Sequence, residues 1–423
     1  MSEGEPSGVE TRRAALRLLD AVLRRGASIE ATLGAATGGL ERADDRALAH
    51  AIAGEVLRRL PDLDALIDSA TAKRLPHDAK ARFVLRIALA QALTLDTPPH
   101  AAIATVLPLV DGGPRRLVHG VFGALMRKGA TLPALPALPA TVAKRWRKAW
   151  GAAAVEAARH AIATPPPLDL TLKAPGETTG WAERLGGVSL APGHVRLDRG
   201  TAVPALPGFA EGAWWVQDIA ASLPARLLGE GRGRRALDLC AAPGGKTLQL
   251  AAAGWAVTAV DASANRLGRL RDNLARAGLE AAVVEADALH FEVGERYDAV
   301  LLDAPCSATG IFRRHPDVLH RAGDRLIASL AEQQRAMLAR AADHVAPGGT
   351  LVYAVCSLEP AEGEAVADGF AADRRFARNP VREEELPAGF AIGGAGRLRV
   401  LPGTLAEQGG ADGFFVARFT RID

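Results

Sequence analysis

Residues Ala236 to Thr247 read ALDLCAAPGGKT, and no other stretch restricts the fold of this 423-residue chain as much. Ala236 to Leu239 have the pattern of a short buried strand, set off by the basic run Arg232 to Arg235. A turn with Pro243, Gly244 and Gly245 follows, and Lys246 to Ala253 reads as a helix. A strand that passes through a glycine turn into a helix leaves free backbone N–H groups beside a strand end, where open α/β sheets bind their ligands. Gly245-Lys246-Thr247 ends like a phosphate loop, but that motif needs a glycine five positions before its second one. Cys240 stands there. The dinucleotide fingerprint needs three spaced glycines, and only the adjacent pair is present. A generic strand-to-helix turn stays open.

From Arg234 onward, strand and helix patterns alternate, which signals a parallel sheet. The expected strands are Ala236–Leu239, Ala256–Val260, Ala282–Glu285, Ala299–Asp303 and Thr350–Val355, with a final antiparallel strand at Gly413–Phe419. Asp261 and Asp287 follow the second and third of these; each is suited either to accept hydrogen bonds from a ligand or to cap a helix. The fourth strand ends in Asp303-Ala304-Pro305-Cys306-Ser307, the fifth in Tyr353-Ala354-Val355-Cys356-Ser357.

These segments carry a family resemblance. DLCAAPGGKT is similar to motif I of the RNA (cytosine-5) methyltransferases, whose loop holds S-adenosyl-L-methionine. The resemblance implies a Rossmann-like class I methyltransferase domain. By it, Cys240, Ala241, Ala242, Pro243, Gly244, Gly245 and Lys246 line the cofactor, Asp261 meets its ribose, Asp287 its adenine amine, and Asp303 lies close to it. It also implies that Cys356 is the nucleophile, that Cys306 assists release, and that Asp303 binds the cytosine edge. The family usually has Thr where Val355 stands. Two thiols suit this chemistry. Carbon 5 of cytosine is too electron-poor to attack a sulfonium unless a thiolate first adds to carbon 6, and a second group aids the later elimination. Lys246 is a candidate for favouring a thiolate by its charge. The three cysteines form no C-x-x-C pair, so neither a zinc site nor a redox motif is expected.

The front of the chain is of another kind. Helical spacing marks residues 11–25, 45–60, 62–71, 78–95, 101–110 and 115–128, an all-helical bundle. Arg12-Arg13-Ala14-Ala15, Asp44-Asp45-Arg46 and Arg115-Arg116-Leu117-Val118 resemble the NusB-like RNA-binding domain that precedes the catalytic part in one methyltransferase subfamily. His119-Gly120 departs from that pattern. Over residues 1–150, 22 Lys and Arg face 15 Asp and Glu, whereas over 151–423 the count is 29 against 33. A basic front suits a polyanion, or is a solvated helical surface.

Thr131–Ala140, with prolines at 133, 136 and 139, reads as a semi-rigid linker. In Lys144–Trp150 (KRWRKAW), Trp146 and Trp150 either stack on bases or pack on a neighbouring domain. Residues 165–215 read as a small α+β subdomain with strands Leu168–Leu172 and His194–Leu197. Trp214-Trp215-Val216-Gln217-Asp218 leads on into a helix and is similar to the family's stretch in front of motif I. Arg313-Arg314-His315-Pro316-Asp317 resembles a family run whose arginines suit a phosphate or a flipped nucleotide; a surface loop tied by salt bridges is the alternative.

The expected division is therefore 1–129 helical, 130–140 linker, 141–233 small α+β subdomain and 234–423 Rossmann-like. No uninterrupted apolar run of about 18 residues is present, so no membrane-spanning helix is expected, and the polar start MSEGEPSGVE is unlike a signal peptide. The expectation is a cytoplasmic monomer that methylates a cytosine in small-subunit ribosomal RNA. The same chemistry on transfer RNA, and a non-catalytic RNA-binding factor, are the alternatives.

Overall fold

The computed structural model describes residues 7–198, 200, 202–292 and 294–423; the first six residues of the polar start read above lie outside them. The chain divides into two compact units.

The first unit takes in the chain up to Lys148, Val155–Thr164 and Phe312–Gly323. Its helices are α1 (Val9–Leu23), α2 (Ile29–Thr37), α3 (Ala43–Arg58), α4 (Leu60–Ser69), α5 (Lys80–Thr94), α6 (Pro99–Val106) and α7 (Gly112–Arg127). All but α2 were expected. Its signal was Ser28, whose Oγ accepts from the Ala31 N–H at 3.2 Å and caps the helix. Leu18, Leu19, Ile52, Leu57, Leu85, Ile87, Leu89 and Phe122 form the core. Four of the basic residues turn inward. Arg12 donates to Gln91 Oε1 at 2.7 Å, Arg58 to the Ile162 carbonyl at 2.6 Å, and Arg82 and Arg86 to Asp64 at 2.8–2.9 Å. Part of the basic excess is thus spent on internal bonds.

Helix α8 (Ala140–Ala163) breaks at Gly151, where φ is +83°. Trp146 is 1% exposed and its ring lies 5.4 Å from that of Phe312. Packing, not base stacking, is its role: an indole so enclosed has no free face for a base. Arg313, a residue of the same unit, is 3% exposed in the whole chain, and its carbonyl accepts from Arg58 at 3.3 Å. The expectation that both arginines of the 313–317 run reach a phosphate is corrected for Arg313, whose side chain is buried.

The second unit comprises Ala149–Ala154, Pro165–Ile311 and Asp324–Asp423. Strands β1 (Leu168–Leu172), β2 (His194–Leu197) and β3 (Trp214–Val216) form an antiparallel sheet in the order β2-β1-β3. Helix α9 (Thr178–Leu185) lies between β1 and β2 in sequence. Asp169 of β1 takes both Arg196 donors at 2.7 and 2.8 Å and the Ile219 N–H at 3.0 Å. That last bond fixes the start of helix α10 (Ile219–Arg226).

The main sheet contains β4 (Arg235–Leu239), β5 (Ala256–Asp261), β6 (Ala282–Glu285), β7 (Tyr297–Asp303), β8 (Val345–Val355), β9 (Phe376–Arg378), β10 (Ile392–Gly393), β11 (Arg397–Val400) and β12 (Phe414–Arg421). Its order is β10-β11-β12-β8-β7-β4-β5-β6, with β9 paired to β12. Strands β6 to β8 of that path run parallel, and β12 runs antiparallel to β8 as expected. Alternate residues face opposite cores: Leu237, Val300, Leu302 and Tyr353 one way, Ala236, Leu301, Val352 and Ala354 the other. A parallel sheet covered on both faces requires this near-continuous apolar run. The chain steps outward from β4 through β5 to β6, then returns to place β7 on the other side of β4. That reversal opens a crevice at the strand ends. Among the described residues no helix is long and apolar enough to cross a membrane.

Candidate active site

The register aligns the carboxyl ends of the central strands. Leu239 pairs with Val260 and Leu302, Asp261 with Glu285, and Asp303 with Ala354. Helix α11 (Gly245–Ala252) begins directly beyond β4. The loop between them turns on left-handed residues, Cys240 at φ +62° and Gly244 at +111°.

Beneath this loop lies Asp238, fully buried. One of its oxygens accepts from Thr247 Oγ1 at 2.6 Å; Oδ1 has no partner among the described residues. Burial pushes its carboxyl up to about 7, against the hydrogen bond from Thr247 and the charge of Lys246. Burial and the surrounding carboxylates of Asp303, Asp261 and Asp238 push the Cys240 thiol far up, so Cys240 stays a neutral wall.

Lys246 donates to Asp303 Oδ2 at 2.7 Å and lies 5.3 Å from the Phe414 ring centroid. Burial alone would lower its ammonium, but Asp303, Asp238 and Cys356 outweigh that and hold it charged. Cys306 Sγ and Cys356 Sγ stand 3.5 Å apart. The hydrogen bond to Cys356, then burial, then the charges of Cys356 and Glu362 push the Cys306 thiol well up. The ends of β7 and β8 have therefore delivered two thiols and a carboxylate, and the first turn of α11 an ammonium, to one mouth.

Asp261 accepts from the N–H groups of Ala242 at 3.2 Å and Ser263 at 2.9 Å, and pairs with Arg266. It does not cap helix α12 (Ala264–Ala277); Ser263 does. Asp287 accepts from the Leu289 N–H at 2.9 Å and faces His290 Nδ1 at 3.0 Å. The Leu289 bond, followed by His290, holds its carboxyl below the ordinary range against slight burial.

A family model described as 16S rRNA methyltransferase RsmB/F matches residues 225–420, and the NusB family model matches residues 9–123. The ribosomal RNA small subunit methyltransferase B of Xylella fastidiosa is 38% identical over 438 residues, spanning 98% of both chains. The chain belongs to the RsmB/F family. The Klebsiella pneumoniae member of the same name is 37% identical over 407 residues, covering 89% of this chain and 90% of that one. Among solved structures, PH0851 superposes with a TM-score of 0.75 at 22% identity, covering 97% of this chain and 98% of its own. A methyltransferase homologue from Pyrococcus horikoshii does so with a TM-score of 0.57 at 24% identity, covering 71% and 98%.

For an RsmB/F methyltransferase the donor is S-adenosyl-L-methionine, and the crevice fits it chemically. That molecule presents a sulfonium charge, ribose hydroxyls and an adenine amine, all seeking acceptors. Asp261, Asp287 and Asp303 offer three carboxylates at successive strand ends, and the Arg266 side chain paired to Asp261 is half-exposed.

The residues that escaped the sequence reading join the two cysteine loops: Ser307, Ser357, Gln334 and Glu362. A visible sign existed, since each cysteine is followed directly by serine. Glu362, in the run LEPAEGE, has the look of a solvated acid.

Proposed function

We propose that this RsmB/F methyltransferase modifies carbon 5 of a cytosine in small-subunit ribosomal RNA through a transient bond between Cys356 and the ring. Cys356 Sγ adds to carbon 6, and the ring electrons shift so that carbon 5 becomes nucleophilic. S-adenosyl-L-methionine, when bound, supplies an electrophilic methyl group. Asp261, Asp287 and the loop from Cys240 to Gly245 hold the donor. Asp303 hydrogen-bonds the cytosine edge, and the Lys246 charge beside it offsets the negative charge that thiolate addition puts into the ring. In release, carbon 5 loses its proton and the bond from carbon 6 to sulfur breaks. A solvent base takes the carbon 5 proton, the electrons of that C–H bond restore the ring double bond, and Cys356 leaves as a thiolate with the electron pair of the carbon–sulfur bond. Cys306, a neutral thiol 3.5 Å away, assists by donating a hydrogen bond to the departing sulfur.

The observation that carries this reading is the meeting of the two sulfurs, 3.5 Å apart, from the ends of adjacent parallel strands. The helical unit, matched by the NusB model, supports RNA as the partner, and the names of the relatives support the small subunit. The test is to incubate the protein with methyl-labelled donor and separate naked 16S ribosomal RNA, assembled small subunits and transfer RNA, then digest to nucleosides. Label in 5-methylcytidine from ribosomal RNA is expected. Label in any other nucleoside, or on transfer RNA alone, overturns the reading.

A further inference from the structure

Glu362 lies just past the second cysteine loop and is fully buried. Desolvating a carboxylate is costly unless a cation or several donors repay it. No Lys, Arg or His pairs with Glu362 among the described residues; its bonds are instead to neutral donors of the two cysteine loops. The Ser307 N–H donates to Oε1 at 2.8 Å. The Ser307 hydroxyl donates to Oε2, as does the Ser357 hydroxyl at 2.6 Å. The two hydroxyls are themselves 3.1 Å apart. Gln334, on helix α13 (Asp324–Asp343), donates to Glu362 Oε1 at 3.2 Å and to the Pro305 carbonyl at 2.8 Å. The Tyr353 hydroxyl donates to the Glu362 carbonyl.

The placement is informative. Ser307 follows Cys306 and Ser357 follows Cys356. Pro305 and Ser307, on either side of Cys306, are both gripped by the Gln334–Glu362 pair. A single carboxylate therefore bridges the residues next to both sulfurs. Ties between the loops that do not involve it are the Gly310 N–H to the Cys356 carbonyl at 3.0 Å, the Leu358 N–H to Thr309 Oγ1 at 3.0 Å, and the hydroxyl contacts of Ser357 with Ser307 at 3.1 Å and with Thr309 at 3.4 Å. Those bonds hold the loops together. They do not constrain how the two side chains face each other.

We propose that Glu362 is a positioning residue: by binding Ser307 and Ser357 at once it holds the thiols of Cys306 and Cys356 at the separation the reaction uses. This rests on the two-cysteine reading above. Glu362 touches no reacting atom. Its charge adds to the burial that keeps the Cys306 thiol protonated, so that it faces Cys356 as a hydrogen-bond donor.

The test needs a readout of thiol separation that does not depend on turnover. Phenylarsine oxide bridges two close thiols, forming two arsenic–sulfur bonds and releasing water. Wild-type protein should take up one equivalent by intact mass, and Cys306→Ala or Cys356→Ala should abolish that bridged adduct. Glu362→Ala should slow the bridging severalfold and lower kcat by up to about 100-fold, the scale of an ångström-sized misplacement. Donor affinity and KM for RNA should stay unchanged. Glu362→Gln, which keeps an acceptor for the Ser307 N–H and an amide to bond the hydroxyls, should recover both bridging and most of kcat. Wild-type bridging in Glu362→Ala, a loss of kcat without slower bridging, a parallel loss of donor affinity, or no recovery with Gln would each overturn the proposal. If Glu362→Ala does not fold, Ser357→Ala carries the same test with one tie removed. The outcome is separable from the reading it rests on: wild-type protein that bridges arsenic yet forms no 5-methylcytidine refutes the chemistry and leaves the positioning result readable.

Discussion

The sulfur of Cys306 lies 3.5 Å from that of Cys356 although 50 positions separate them in the chain. If Cys356 makes the bond to the ring and Cys306 serves its release, the two substitutions must differ in kind. Cys306→Ala should accumulate an RNA-linked band on denaturing gels, and Cys356→Ala should show neither band nor turnover. A band with both variants would mean the roles are assigned wrongly.

Lys246 is bound to Asp303 at 2.7 Å and its charge interacts with Cys356. Lys246→Ala leaves Asp303 without its cation and removes the positive field that favours a thiolate. Turnover should fall by about 100-fold, as for loss of one preorganised electrostatic donor. The rising limb of kcat/KM against pH should move to higher pH. A pH profile of unchanged shape would exclude the electrostatic role and leave Lys246 as a ligand of Asp303 alone.

Asp238 provides a test on stability. Its folded-state carboxyl is raised from 3.8 to about 7 by burial, so between those values the folded protein holds a proton that the unfolded chain has released. Stability must then fall as pH rises through that window. The loss amounts to on the order of 4 kcal/mol once pH exceeds the folded value. Asp238→Asn keeps an acceptor for Thr247 and cannot ionise. It should flatten the decline of Tm between pH 5 and pH 7 and raise Tm at pH 8. An equally steep decline in the variant would show that Asp238 is not its source.

Gly310 sits where two backbones meet. A Cβ there would lie 2.0 Å from the Gly413 carbonyl oxygen, while the Gly413 N–H donates to the Gly310 carbonyl at 2.9 Å. Backbone cannot swing aside as a side chain can. Gly310→Ala should part β12 from the Cys306 loop and lower stability by about 1–3 kcal/mol, the range for overpacking. Thermal melts measure this directly. Gly268→Ala, in helix α12 with open space around it, is the control and should be neutral or slightly stabilising.

The parallel sheet, the glycine turn between β4 and α11 and the cysteines at strand ends were all legible in the linear chain. Each rests on local signals: apolar runs of strand length, a glycine turn, a residue type placed where a strand stops. The helical front was legible for the same reason, apart from α2, whose short pattern was carried mainly by its Ser28 cap. Trp146 was readable only as a pair of alternatives, because amphipathic spacing does not say which surface an indole will meet.

Residues 312–323 show where local reading stops. Arg313 has the character of a phosphate ligand, yet it is buried, and the rest of the unit it belongs to is mostly more than a hundred positions away in sequence. Glu362 is the stronger case. Nothing nearby marks it as buried, since its partners are Ser307, Gln334 and Ser357, drawn from a strand-end loop, a helix and another strand-end loop. Periodicity and motif spacing encode what a segment does along its own axis. Whether a charge is solvated, or a thiol faces its partner, depends on which distant segments close around it, and chain closure alone supplies that.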